Sequence, residues 1–278
     1  MRTNSQPHPP EPGLITRLLV VLFVATRNQR YLRRIWKPSS GLMSVFNMCI
    51  KVKPFPSLAE ADAMRFVAQN TSIPVPKVHC AFIHKDSTYL VMSKIKGEMA
   101  RHGWQSRTAE SKAKVLAQLR GMVMELRSVP PPNGAHVGAV DGGPFYDRRL
   151  PSKTFWGPFA TTRDFHQALA GDADVDTEYE DLPDDVVELF GFYRQSHTKL
   201  VLTHGDLSSL NIMVKGDEVT GILDWETAGW FPPYWEYTCA KYVNPHNAFW
   251  AEEVDKILEP MPLELRMEGI RQKYFGAF

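Results

Sequence analysis

The stretch LVLTHGDLSSLNIMVKGDEVTGILDWE, Leu200 to Glu226, carries the most chemistry per residue in the chain. It opens on an apolar run, Leu200 to Leu202, that has the character of a strand, and turns through His204-Gly205-Asp206. A short β-prone segment then begins at Asn211, Lys215 to Glu218 supplies a turn, and Val219 to Leu223 returns as the second arm of a hairpin ending in Asp224. Asp206 and Asn211 precede the first arm and Asp224 ends the second, so three oxygen-bearing side chains are predicted to meet at one end of the hairpin.

Two carboxylates and an amide gathered in this way suit phosphoryl transfer, where the protein mainly positions groups and neutralises charge. Mg²⁺ takes hard oxygen ligands and keeps some of its waters, a demand that Asn211 and Asp224 meet together with ATP phosphates. Asp206 is then the group that orients an acceptor hydroxyl or takes its proton. The spacing from Asp206 to Asn211 is the D-x-x-x-x-N of protein-kinase catalytic loops, which also use a separate metal-binding aspartate.

That logic requires a strand lysine for the α/β-phosphates and a helix glutamate to hold it. NMCIKV, Asn47 to Val52, reads as a strand closed by Pro54 and Pro56, and it supplies Lys51. From Ser57 the apolar residues recur at three- and four-residue steps, which predicts a helix with Ser57 as N-cap and Glu60 completing a capping box; Glu60 is also the candidate partner of Lys51. Lys53 lies on the same strand face as Lys51, so periodicity alone does not choose between them. Lys51 is preferred because Ile50 and Val52 flank it, whereas Lys53 abuts Pro54.

Pro74 and Pro76 force extended backbone, and strands follow at Val78 to Ile83 and Thr88 to Ile95. The backbone of Met92, Ser93 and Lys94 is the expected connection against which adenine would bond. Beyond Gly97 the pattern turns helical: Ala109 to Arg127 places Val115, Leu116, Leu119, Val123 and Leu126 on one side, and a second helix is predicted from Asp184 to His197. Between them lie a proline- and glycine-rich loop, Ser128 to Phe159, and a run of eight acids from Asp172 to Asp185, read as a solvated loop with an electronegative rim for a cationic substrate as the alternative.

The bulk numbers fit a soluble globular chain of 278 residues, 44% hydrophobic and 23% charged. With 32 basic against 31 acidic side chains there is no basic footprint for nucleic acid. Cys49, Cys80 and Cys239 form neither a zinc spacing nor a disulfide framework, which fits a reducing, cytoplasmic setting. Residues 1–12 are polar and proline-rich and read as a disordered tail. Leu14 to Ala25 is too short an apolar run to span a bilayer and is read as a helix on the body of the protein, with interfacial membrane contact and targeting as alternatives. No G-x-G-x-x-G turn of a dinucleotide fold occurs.

The segments IKVKPFPSLAEADAMRFV, NTSIPVPKV, TYLVMSKIKGE, VDGGPF, THGDLSSLNIMV and GILDWETAGWFPPYWEY together resemble the aminoglycoside phosphotransferase and choline kinase-like superfamily, in the divergent form abundant in filamentous fungi. The resemblance runs from about Ile50 to Tyr237. It implies an α+β, bilobal protein-kinase-like fold: a small antiparallel-sheet N-lobe with one helix over residues 38–95, and a larger, mainly helical C-lobe over residues 96–278 that binds the acceptor. It implies an ATP-dependent phosphotransferase acting on a hydroxyl of a small molecule, with Asp206 as base, Asn211 and Asp224 on Mg²⁺, and Lys51, rather than Lys53, paired to Glu60. It further implies that His204 braces the catalytic loop and that Trp225 and Trp230 pack the C-lobe.

Two departures from the pattern stand out. Only Gly41 is available before Lys51 for a nucleotide-covering loop, and Ser208 stands where relatives often carry histidine. The competing readings are a catalytically silent kinase-like module that binds nucleotide or protein, and a hydrolase using His204, Asp206 and a nearby serine; the second lacks a G-x-S-x-G elbow.

Overall fold

The computed structural model describes residues 12–29, 42–150, 154–195, 199–242 and 248–276. The tail at residues 1–11, Gly41 and the end of the helix expected at Asp184 to His197 lie wholly or partly outside them.

Chain alternation builds the first layer. Strands β1 (Leu42–Val45), β2 (Met48–Lys53), β3 (Val78–His84) and β4 (Ser87–Ser93) form one antiparallel sheet in the order β1-β2-β4-β3. Successive β2 side chains point to opposite faces. Ile50, with Val91 of β4, packs outward under helix α1 (Leu14–Arg27), where Val20, Phe23 and Val24 cover it. Leu90 and Ala81 pack inward on helix α2 (Ala59–Asn70) through Ala61, Met64 and Val67. Lys51 and Lys53 share that inward face.

Strand β1 was not foreseen. It pairs with β2 through a turn at Phe46-Asn47, with Phe46 at φ 52°, so the segment before Lys51 is a β-hairpin whose turn contains no glycine.

The capping box at Ser57 and Glu60 is corrected as well. Helix α2 starts at Ala59 behind Leu58 without a side-chain cap, because the Glu60 carboxylate is turned to the lysines of β2 instead. Ser57 joins the sheet edge, its amide donating to Thr88 Oγ1 at 2.9 Å.

The rest of the chain is mainly helical, with α3 (Ala109–Ser128), α4 (Thr162–Leu169), α5 (Asp184–Arg194), α6 (Tyr234–Lys241), α7 (Trp250–Ile257) and α8 (Pro262–Phe275). Thr108 caps α3 by accepting from the Ser111 amide, and its predicted stripe, Val115 to Leu126, is buried. A true capping box of Thr161 and Asp164 starts α4. Two small antiparallel sheets complete the fold. Strand β5 (Glu98–Met99) pairs with β8 (Ile212–Lys215), which pairs with β9 (Glu218–Ile222). Strand β10 (Gly229–Phe231) lies between β6 (Gly138–Ala139) and β7 (Val201–Thr203).

Trp225 and Trp230 are fully buried, and Trp230 meets Phe66 of α2 edge to face at 6.0 Å, so helix α2 is seated on the larger part of the molecule. The proline- and glycine-rich loop is ordered by isolated bridges, Val137 to Phe159 and Phe145 to Trp156, and its aromatics enter the second core with Phe165, Phe231 and Trp235. As far as Asp181 the acidic run is a mostly exposed loop in which Asp174 accepts from the Asp176 amide and from Thr177 Oγ1, and its last two acids, Asp184 and Asp185, open α5. All three cysteines are free, and among the described residues no helix is long and apolar enough to cross a membrane.

Candidate active site

Two lysines and three carboxylates meet where the four-stranded sheet faces the β8–β9 hairpin. Lys51 Nζ lies 2.9 Å from Glu60 Oε1, 2.6 Å from Asp224 Oδ1 and 3.3 Å from Glu226 Oε2. Lys53 Nζ lies 2.6 Å from Glu60 Oε2 and 2.8 Å from Glu226 Oε2. The pairing of Lys51 with Glu60 expected from sequence is therefore present, and Lys53 holds the other oxygen of the same carboxylate. What separates the two lysines is the contact of Lys51 with Asp224.

Burial alone would depress the Lys51 ammonium, but the charges of Glu60, Asp224 and Glu226 outweigh it and hold Lys51 above the ordinary lysine range. Burial likewise opposes ionisation of Asp224; the charge and hydrogen bond of Lys51, with Lys53 behind them, hold this carboxyl below its ordinary value. Glu60 is 4% exposed and is shared by two ammoniums. Glu60→Gln is expected to destabilise the fold by roughly 3 kcal/mol, because breaking a buried pair leaves charge uncompensated. Chemical denaturation of the two proteins checks this; equal midpoints and slopes would show that the lysines find full compensation elsewhere.

The hairpin brings the remaining candidates together. The Leu223 amide donates to the Asn211 carbonyl at 2.7 Å, tying the residue before Asp224 to the start of β8. Asn211 Nδ2 donates to both the backbone oxygen and Oδ2 of Asp206, each at 2.9 Å. Asp224 sits at φ 61° and ψ 64°, in the left-handed region that aspartate and asparagine tolerate better than other non-glycine residues. Such backbone settings cluster at functional sites.

Around this lies a brace that the sequence only partly revealed. His204 Nδ1 accepts from the Asp206 amide at 3.1 Å, which leaves Nε2 as the donor to the Leu223 carbonyl at 2.9 Å. His204 thus links the loop of Asp206 to the hairpin, in the bracing position the resemblance implied. Glu236 of α6 accepts from the amides of His204 and Gly205 at 2.6 and 3.0 Å. Arg149, from the proline- and glycine-rich loop, donates to the Gly205 carbonyl and pairs with Asp147 at 2.6 Å. Burial opposes the Arg149 charge, and Asp147 more than restores it. Glu226, Glu236 and Arg149 went unassigned in the sequence; the two-residue step from Asp224 to Glu226 was the one local signal for any of them. Ser208, at the position where histidine is frequent, is buried and its hydroxyl accepts from the Leu210 amide.

Two of the three amides in the segment expected to face adenine are already bonded. The Ser93 amide donates to the Lys77 carbonyl at 2.9 Å and the Lys94 amide to the Asn47 carbonyl at 2.8 Å, so both donors are spent within the sheet, while Met92 is an interior position of β4 paired with Cys49. Among the described residues, the Ile95 amide is the first after β4 without a hydrogen-bond partner.

The residues present fit a divalent cation. One oxygen each from Glu60, Asp224 and Glu226 lies within 4.8 Å of the others, and these three carboxylates exceed the two ammoniums by one negative charge. With its amide nitrogen committed to Asp206, Asn211 has its carbonyl oxygen to offer.

The profile of the phosphotransferase enzyme family matches residues 22–267. The chain belongs to this family. As a phosphotransferase-family chain it is 27% identical over 197 residues to clavilactone A biosynthesis cluster protein Y of Ampulloclitocybe clavipes, covering 60% of this chain and 48% of that protein. It is 25% identical over 166 residues to an aminoglycoside 3'-phosphotransferase of Niallia circulans, covering 56% of this chain and 53% of that one. The chain thus spans about half the length of these curated relatives. Among solved structures, the apo form of a thermostable mutant of aminoglycoside phosphotransferase APH(4)-Ia superposes with a TM-score of 0.59 at 17% identity, over 88% of this chain and 90% of that one. Its ternary complex with ADP and hygromycin B gives 0.55 at 17% identity, over 90% of each chain. The fold is the bilobal, protein-kinase-like α+β fold of these enzymes.

Proposed function

We propose that this chain transfers the γ-phosphoryl group of ATP to a hydroxyl of a small molecule. The observation that carries the reading is Lys51 Nζ, which reaches from the sheet to Glu60 on one side and Asp224 on the other. This is the arrangement that holds triphosphate oxygens against a metal-binding carboxylate.

In this reading residues 38–95 form the nucleotide lobe and residues 96–278 the catalytic and acceptor lobe. Lys51, fixed by Glu60 and kept charged, binds phosphate oxygens; the Ser93 carbonyl and the Ile95 amide, just beyond the bonded amides of Ser93 and Lys94, face adenine. Asp224 and Asn211 would hold Mg²⁺, which when bound neutralises the phosphate charge. Asp206, oriented by the Asn211 amide, accepts the hydroxyl proton of the acceptor. The reaction is set in a reducing cytoplasm, in keeping with three free cysteines.

Acceptor chemistry is the open variable, and an ADP-formation screen over hydroxylated metabolites, aminoglycosides included, addresses it. The expected result is acceptor-dependent ADP release that the Asp206→Asn protein lacks. ATP binding without turnover on any acceptor would favour the silent nucleotide-binding module instead.

A further inference from the structure

Helix α1 is apolar on both sides. Val20, Phe23 and Val24 face the sheet, over Ile50 and Val91. On the other side Leu14, Ile15, Leu18, Leu19 and Leu22 are between 59% and 78% exposed. A helix apolar all round belongs inside an apolar phase, yet this one lies on the outer surface of the first sheet. Its 14 residues are too few to span a bilayer, so the fitting geometry is in the plane of an interface.

Charge selects the phase. From Pro12 to Ile50 the sequence carries six Lys and Arg and no Asp or Glu, whereas the whole chain is nearly balanced at 32 against 31. An exposed leucine face within a purely cationic segment is the pattern of an interfacial anchor on anionic lipid. Strand β2 supports the geometry: Ile50 points to α1 and Lys51 to the opposite face, so a bilayer under α1 leaves the lysine and carboxylate cluster accessible.

We infer that the exposed face of α1 docks this protein on an anionic membrane surface. This does not rest on the proposed reaction, since it concerns the opposite side of the sheet.

The test is sedimentation of the full chain with vesicles of phosphatidylcholine alone and with about 30% phosphatidylserine. Binding to the anionic vesicles is expected, weakened about tenfold or more on neutral vesicles and in the Leu18→Glu/Leu22→Glu protein, with nucleotide binding of that protein unchanged. If the glutamates lower the melting temperature, Leu18→Ser/Leu22→Ser probes the same face and is expected to weaken binding in the same direction. Absence of binding to either vesicle, or binding indifferent to both double variants, overturns the inference. So does a dimer in light scattering that the double variants dissociate without any vesicle binding, which would make a second copy the occupant.

Discussion

Replacing Asp206 with asparagine is expected to lower phosphoryl transfer about 10³-fold while leaving affinity for Mg-ATP within about threefold. The substitution is conservative in shape. Asn211 Nδ2 donates to the Asp206 backbone oxygen and to Oδ2, and an asparagine carbonyl can accept the second bond as the carboxylate does. What is removed is the basicity proposed to take the acceptor's proton. Lys51, Glu60 and Asp224, the groups proposed to face nucleotide, keep their mutual contacts. Single-turnover measurement beside equilibrium nucleotide binding separates the two effects. Retained turnover in the variant would remove Asp206 from the base role.

Asp224→Asn is expected to weaken nucleotide binding about 30- to 1,000-fold in the presence of Mg²⁺ and to change little in its absence, because the variant loses the negative charge proposed to hold the metal. Asparagine is the informative replacement. Asp224 occupies left-handed backbone that asparagine tolerates, whereas alanine would add about 1–2 kcal/mol of strain and blur the result. Calorimetric titration with a non-hydrolysable ATP analogue, with magnesium and with EDTA, reads both conditions. Equal affinities in the variant and the parent would take Asp224 out of the metal site.

The same carboxyl gives the stability a pH dependence of defined sign. Asp224 titrates below its unfolded value when folded, so its contribution is present above the ordinary carboxylate range and is lost as pH falls through the folded value. Lys51 is shifted the opposite way: its contribution is present below the ordinary ammonium range and is lost only as pH rises past it. Between about pH 5 and pH 9 the contributions of Asp224 and Lys51 are therefore both present. In Asp224→Asn the loss on the acid side is expected to be shallower.

Local pattern carried much of this site. The hairpin between Asn211 and Asp224 announces itself by β-prone arms around Gly216, and the α3 stripe by its 3.6-residue period, so both could be read from neighbouring residues. Lys51 and Lys53 could not be separated in that way. Alternation puts both on one face, and the distinction appears only when Asp224, 173 residues along the chain from Lys51, reaches the first of them. Glu60 misled for a related reason: its spacing from Ser57 satisfies a capping box, but two ammoniums bind a carboxylate more strongly than one backbone amide does.

Arg149 and Glu236 had no local signal at all. Their bonds to Gly205, beside Asp206, span 56 and 31 residues, and each is an ordinary charged residue until the chain is folded. The amides of Ser93 and Lys94 are taken up by the Lys77 and Asn47 carbonyls, the second through the turn of the unforeseen β1–β2 hairpin, and no local pattern announces either bond.

The proposed reaction requires a metal-bound triphosphate between the hairpin and the lysine of β2. A crystal structure with a non-hydrolysable ATP analogue and Mn²⁺ in place of Mg²⁺ tests it most directly. The predicted result is an anomalous peak coordinated by Asn211 and Asp224, with phosphate oxygens on Lys51. Nucleotide bound away from Lys51, or manganese bound without either Asn211 or Asp224, would contradict it.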